Sequence, residues 1–223
     1  MVRRGLLRFL LVALLWLSVE GATIALGKDY SCALQANSTV LCWGGNDRGQ
    51  LGDGTFTDRA TPVEVSGITT ATSIALGYYH ACALLINSTV LCWGYNSRGR
   101  LGDGTNSSSS IPVEVSGITT ATSIALGGEH SCALLTDGTM KCWGYGGDGQ
   151  LGDGTFTDRA TPVEVSGITT ATSIALGQFH SCALLKDSTI KCWGWNQDGQ
   201  LGDETNSGRI FPVEVSGITT ATS

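Results

Sequence analysis

Residues 42–55 read CWGGNDRGQLGDGT, and the chain returns to this string as CWGYNSRGRLGDGT from Cys92, CWGYGGDGQLGDGT from Cys142 and CWGWNQDGQLGDET from Cys192. Each copy starts fifty residues after the one before, and PVEVSGITTATS keeps the same step from Pro62 to Pro112, Pro162 and Pro212. A fixed period of this length marks a chain built by stacking one supersecondary unit, because a unit this small cannot bury its apolar face alone. Residues 24–223 hold four periods, approximately 24–73, 74–123, 124–173 and 174–223, with no linker between them.

Within the third unit the strand signals are short and separated by turn residues. Ser123 to Leu126 reads as one strand, His130 to Leu135 as a second, Thr139 to Trp143 as a third and Pro162 to Val165 as a fourth. No segment carries a helical period long enough to compete. Four short strands per unit is the pattern of a propeller blade, so the expected fold is an all-β propeller of four-stranded blades. Asp137-Gly138 sits at the turn between the second and third strands. With a three-residue loop, Thr136 to Gly138, glycine takes the left-handed position and Cys132 falls opposite Cys142. The other units carry Ser38, Ser88 and Ser188 at that position, a poorer fit that leaves their register open.

Composition narrows the function classes. Hydrophobic residues make up 42% and charged residues 14%, which excludes a charge-driven disordered chain. There are 31 glycines, but none of the strict three-residue period of collagen. Thirteen Lys and Arg against nineteen Asp and Glu give a net charge of −6, so a nucleic-acid partner is not expected.

The first residues form a separate object. Arg3 and Arg4 precede the apolar run Phe9 to Leu17. As a helix that run is about 14 Å long, too short for a hydrocarbon core of roughly 30 Å. It suits an export signal over 1–21, with Val19 and Gly21 at the small-residue positions and cleavage before Ala22. The other reading is an uncleaved signal that tethers the protein; otherwise no membrane contact is expected.

The eight cysteines form one pair per unit: Cys32 and Cys42, Cys82 and Cys92, Cys132 and Cys142, Cys182 and Cys192. With an export signal, a disulfide within each hairpin is the economical reading; reduced buried cysteines are the alternative. No CxxC occurs, and His80, His130 and His180 share one position in different units, so no zinc site is expected. Gly144 to Gly149 matches G-x-G-x-x-G, but no helix follows and the sister units have Asn46, Asn96 and Asn196 in place of Gly146, so it reads as a turn. Asp53, Asp103, Asp153 and Asp203 read as turn-capping residues rather than as acids or calcium ligands. No GxSxG, HExxH or phosphate loop is present. The chain is expected to be no enzyme and to need no cofactor. Asn37, Asn87 and Asn106 stand in glycosylation sequons that matter only if the host glycosylates exported proteins.

The order WGGNDRGQLGDGT, PVEV, IALG and then His80 resembles the regulator of chromosome condensation (RCC1-type) repeat, with Arg100 in place of Gln in the second copy and Glu204 in place of Gly in the fourth. Kelch repeats have a similar period but lack the GQLGDG segment. The resemblance covers residues 22–223 and implies a β-propeller in which the WG tryptophans pack between blades. Familiar members look like rings of about seven blades, larger than this chain. Ser223 stops where another copy would continue with IALG, and Ile24 begins with IALG. Two expectations follow: a four-blade ring closed by the two termini, or a truncated or self-associating chain whose homo-oligomer completes the ring. The resemblance also implies two regulatory alternatives, guanine-nucleotide exchange on a small GTPase and inhibition of β-lactamases outside the cell.

The units differ from one another in three places: after IALG, after WG, and after GDGT. The first holds Tyr30, Tyr78, Tyr79, His80, Glu129, His130, Phe179 and His180; the second holds Tyr95, Tyr145 and Trp195. A rigid frame with variable aromatic loops is how protein-binding surfaces are built, while drift in solvent-exposed loops is the bland alternative. These eleven residues are the candidate contacts of an exported binding or scaffold module with a protein partner.

Overall fold

The computed structural model describes residues 24–222, so the expected export segment at 1–21 lies outside the described residues. The described chain forms four separate antiparallel sheets of four strands, each in simple sequence order. The first sheet is β1 (Ile24–Leu26), β2 (Tyr30–Leu34), β3 (Val40–Gly44) and β4 (Arg59–Glu64). The second is β5 (Ala71–Leu76), β6 (His80–Leu85), β7 (Val90–Gly94) and β8 (Ser109–Glu114). The third is β9 (Ala121–Leu126), β10 (His130–Leu135), β11 (Met140–Gly144) and β12 (Arg159–Glu164). The fourth is β13 (Ala171–Leu176), β14 (His180–Leu185), β15 (Ile190–Gly194) and β16 (Arg209–Glu214). Each repeat is therefore one blade, but β5 crosses the 73/74 boundary read from the sequence, so the physical blade begins at Ala71. Proline sits only in β4, β8, β12 and β16, the outer edge of each sheet, where a missing N–H costs no ladder bond.

The hairpin register is the same in all four blades, with Cys32 opposite Cys42, Cys82 opposite Cys92, Cys132 opposite Cys142 and Cys182 opposite Cys192. All four pairs are bonded, each with Cα atoms 4.1 Å apart, near the spacing of the closer cross-strand pairs. The serines do take the left-handed position, with φ of 65° at Ser38, 64° at Ser88 and 66° at Ser188, against 81° at Gly138. The residue before each turn offsets the strain: Asn37 Oδ1, for example, accepts from both the amide and the hydroxyl of Thr39.

Apolar side chains are buried between blades, in three clusters that each take residues from two successive sheets. At the centre of each is a tryptophan whose register is broken by the irregularity between Cys42 and Gly44 and its equivalents. Trp93 reaches back to the first blade and donates Nε1–H to Gln50 O at 2.9 Å; Trp143 does the same to Arg100 O at 3.0 Å, and Trp193 to Gln150 O at 2.8 Å. All three indoles are fully buried. The inner strands touch in succession, β1 with β5, β5 with β9 and β9 with β13. Among the described residues no comparable contact joins β13 to β1. The blades make an open arc, an incomplete propeller, and the four-blade closed ring expected as one reading does not form.

Candidate functional site

The β1–β2 and β3–β4 connections, and their equivalents, lie at the same end of every blade. All three variable segments therefore share one face, while the hairpins and the nearly invariant PVEVSGITTATS turns share the opposite one. The loops on the variable face are held from below by a repeated polar knot. Asn46 Nδ2 donates to Asp53 Oδ1 at 3.2 Å and to Thr57 O at 3.2 Å, and its Oδ1 accepts from Leu51 N at 3.0 Å. Asn96 and Asn196 repeat the arrangement. Asp53, Asp153 and Asp203 cap the following threonine and pair with Arg59, Arg159 and Arg209 at 2.8, 2.7 and 2.6 Å. These aspartates support the turns, as read from the sequence. The Asp203 carboxyl, held by Thr205 and then Arg209, drops to about 2.

Three of the eleven candidate contacts are not on that surface. Tyr30, His80 and His130 point into the joints between blades, with Tyr30 4% exposed and both histidines fully buried. His80 Nε2 lies 3.0 Å from Ser131 Oγ, and His130 Nε2 lies 2.8 Å from Ser181 Oγ. Burial drives both imidazoles toward the neutral form, with His130 down to about 3. The signal was in the sequence: the glycine three residues earlier, Gly77 or Gly127, is there because a Cβ would strike the imidazole. His180 is half-buried, since no further blade packs on it among the described residues.

Four of the other candidates, Tyr79, Tyr95, Tyr145 and Phe179, stand in two clusters of aromatic and cationic groups. Lys28 Nζ donates to Tyr79 OH at 2.7 Å. Tyr79 meets Tyr95 edge to face, with centroids 6.4 Å apart. Arg48 and Arg100 lie over the Tyr95 ring at 4.9 and 4.8 Å, and Arg98 lies over Tyr145 at 4.2 Å. Tyr145 in turn meets Phe179 with centroids 6.5 Å apart. Phe179, His180 and Trp195 line a concavity on the fourth blade with Asp148 and Asp198. Tyr78 lines the axial hollow beside Leu26, Leu76, Leu126 and Leu176.

The four cations were missed by reading the aromatic residues alone. Arg100 is the most informative of them, because Gln50, Gln150 and Gln200 occupy its position elsewhere. Gln50, Gln150 and Gln200 each accept from the amide two residues earlier. Arg100 cannot accept. It donates Nε–H to Ser97 O at 3.1 Å and pairs with Glu129 at 3.2 Å, its side chain 3% exposed against 31%. Burial lowers its pKa, Glu129 opposes that, and the guanidinium stays charged.

A family model described as the regulator of chromosome condensation (RCC1) repeat matches residues 37–84, 87–134 and 137–184, and a second of the same description matches 22–50, 71–100, 121–150 and 171–200. No curated protein sequence matches the chain. Among solved structures, human WBSCR16 is similar over 86% of this chain and 52% of its own, with 25% identity and a TM-score of 0.78. Yeast RCC1 (Prp20), solved bound to Kap60, is similar over 87% of this chain and 48% of its own, with 21% identity and a TM-score of 0.78. Prp20p of Saccharomyces cerevisiae, solved in a study of its binding to Gsp1p and histones, has the same identity and TM-score over 50% of its length. The chain thus spans about half the length of these structures. With four repeats matched in order, it belongs to the RCC1 repeat family.

Proposed function

We propose that this protein is exported and acts as a non-catalytic binding or scaffold module that holds a protein partner on its variable-loop face. One observation carries the reading: two cation–aromatic clusters stand on the variable-loop face, one of Lys28, Tyr79 and Tyr95 with Arg48 and Arg100, the other of Arg98, Tyr145 and Phe179. They lie on loops that a repeated hydrogen-bonded frame holds in place. Aromatic rings and arginines are the side chains that concentrate binding energy at protein interfaces, and here they are set before a partner arrives. Four disulfides support an oxidising compartment outside the cytosol. Yeast RCC1 (Prp20), similar in fold, was solved bound to Kap60 and studied for binding to Gsp1p and histones, which supports a protein partner for this chain.

The test is capture of extracellular proteins by the immobilised exported chain, with identification of what is held. A variant carrying Tyr95→Ser and Arg100→Gln should lose that capture. Ile86→Ser, at a residue 75% exposed on the opposite face, should keep it. Equal capture by both variants would refute the reading.

A further inference from the structure

The three joints between described blades obey a pairing rule. In two of them the first residue of a blade's second strand reaches across to the second residue of the same strand in the next blade. His80 reaches Ser131 and His130 reaches Ser181. Each serine donates to the carbonyl that also accepts the tryptophan, Ser131 to Arg100 O at 3.1 Å and Ser181 to Gln150 O at 2.9 Å. In the first blade the position is Tyr30, whose hydroxyl donates to His80 O, and the next blade carries Ala81 in place of serine. Histidine goes with serine, and tyrosine goes with alanine.

The two exposed ends of the arc complete the same rule. The fourth blade offers His180, which calls for a serine. The first blade, with no blade before it among the described residues, carries Ser31 at the matching place. It also presents Trp43, which is half-buried where Trp93, Trp143 and Trp193 are fully buried. The fourth blade presents the slot such an indole fills. A Cβ on Gly52, Gly102 or Gly152 would lie within 2.9 Å of the next blade's Trp Cδ1, whereas at Gly202 only Val215 is near. Gly49, Gly99 and Gly149 are crowded by Ser110, Ala160 and Ile210 of the next blade, while Gly199 faces open space. Val215 and Ile218 are half-buried where Val65, Val115, Val165, Ile68, Ile118 and Ile168 are buried.

We propose that these end faces are the two halves of a fourth joint, and that two copies of the chain meet head to tail through it twice, closing a ring of eight blades. Trp43 of one copy enters the slot at Gly202 and Val215 of the other and donates to Gln200 O, and His180 pairs with Ser31. The ring stays within the four to eight or so blades that propellers use, and two identical head-to-tail joints give it a two-fold axis. The occupant is a second copy because the joint is the continuation of three joints within the chain, down to the residue pair. This goes beyond the partner-binding reading and does not rest on it.

The experiment is the native mass of the exported full chain by sedimentation, with Trp43→Glu and Val215→Arg as variants, one on each end face at half-buried positions. The wild type is expected at twice the single-chain mass and each variant alone at the single-chain mass. An equimolar mixture of the two variants should return a dimer, because one joint then has both faces intact. Ser31→Ala should weaken the dimer about tenfold or more by leaving the His180 N–H unpaired, and adding His180→Tyr should recover it by recreating the Tyr30–Ala81 pair. A monomeric wild type overturns the proposal, including one whose Trp43 is shielded from quenchers by another segment. So does a dimer that survives both variants, a mixture that stays monomeric, or an open-ended ladder of masses.

Discussion

The imidazole Nε2 of His130 stands 2.8 Å from the hydroxyl of Ser181, and that hydroxyl donates onward to Gln150 O at 2.9 Å. Because the serine hydrogen goes to the carbonyl, the serine accepts from Nε2–H, which makes the ring neutral with a bare Nδ1. Nδ1 of His80 and of His130 has no partner among the described residues, which fits a ring nitrogen that carries no proton better than a buried N–H left unpaired. Ser181→Ala is therefore expected to leave a buried N–H unsatisfied and to cost about 1–3 kcal/mol. Adding His130→Tyr should restore much of the loss, since it copies the pairing of Tyr30 with Ala81. Denaturant midpoints of the two single variants and the double variant check this; a double variant no better than the sum of the singles would remove the pairing rule from this joint.

The same histidines set a pH dependence. Burial holds His130 near 3 and His80 well below the ordinary value of 6.5. The unfolded chain binds these protons at about 6.5 and the folded chain does not. The full stability is present above that value and is lost as pH falls from about 6.5 toward 3. Asp203, lowered to about 2 from 3.8, adds a second loss below pH 4, when its bonds to Thr205 and Arg209 protonate away. Thermal unfolding midpoints should fall between pH 7 and pH 4, and less steeply in the His130→Tyr, Ser181→Ala variant. A flat profile across that range would contradict the buried neutral assignment.

The blade count, the hairpin pairing and the cysteine partners were all legible, because a repeat states its own alignment and strand period places Cys132 across from Cys142. The fate of Tyr30, His80 and His130 was harder to see. Strand-entry residues can face a loop or a neighbouring blade, and only the packing of the next unit decides between them. Their true marker was relational: Ala81 accompanies Tyr30, and Ser131 and Ser181 accompany His80 and His130. Arg100 was visible as a departure from glutamine, but its link to Tyr95 and Glu129 depends on a loop geometry that composition does not carry. The open arc was legible only as one of two alternatives, an incomplete ring or a closed four-blade one, because the choice depends on how far successive inner strands turn before β13 could meet β1.

Gly102 tests how tightly the joints are packed. Its φ is 71°, and a Cβ there would stand 2.8 Å from both Cδ1 and Nε1 of Trp143. Gly102→Ala should cost about 3 kcal/mol, from overpacking on top of backbone strain. Gly202 has a similar φ of 63° but only Val215 nearby. In the Trp43→Glu background, where no indole can fill the slot, Gly202→Ala should cost only about 1 kcal/mol. Unfolding midpoints of the two variants measured in that background separate strain from packing. Equal losses would mean that the tryptophan contact contributes little to the joint.

The disulfides should differ in how readily they open. Reduction needs a thiolate to reach a sulfur. Cys32, Cys82 and Cys132 are fully buried, but the equivalent Cys182 is only half-buried, because the face that covers the others is exposed on the fourth blade. In Trp43→Glu, which keeps that face uncovered, mild reductant followed by alkylation and peptide mapping should label Cys182 and Cys192 before any other pair. Each bond closes a loop with a sequence separation of 10, and its loss should cost roughly 2–3 kcal/mol. The wild-type protein should protect Cys182 as well, because the second copy's first blade then lies over it. Uniform labelling of all four pairs in the variant would show that access does not govern the order, and that the blades open as a unit before any sulfur is reached.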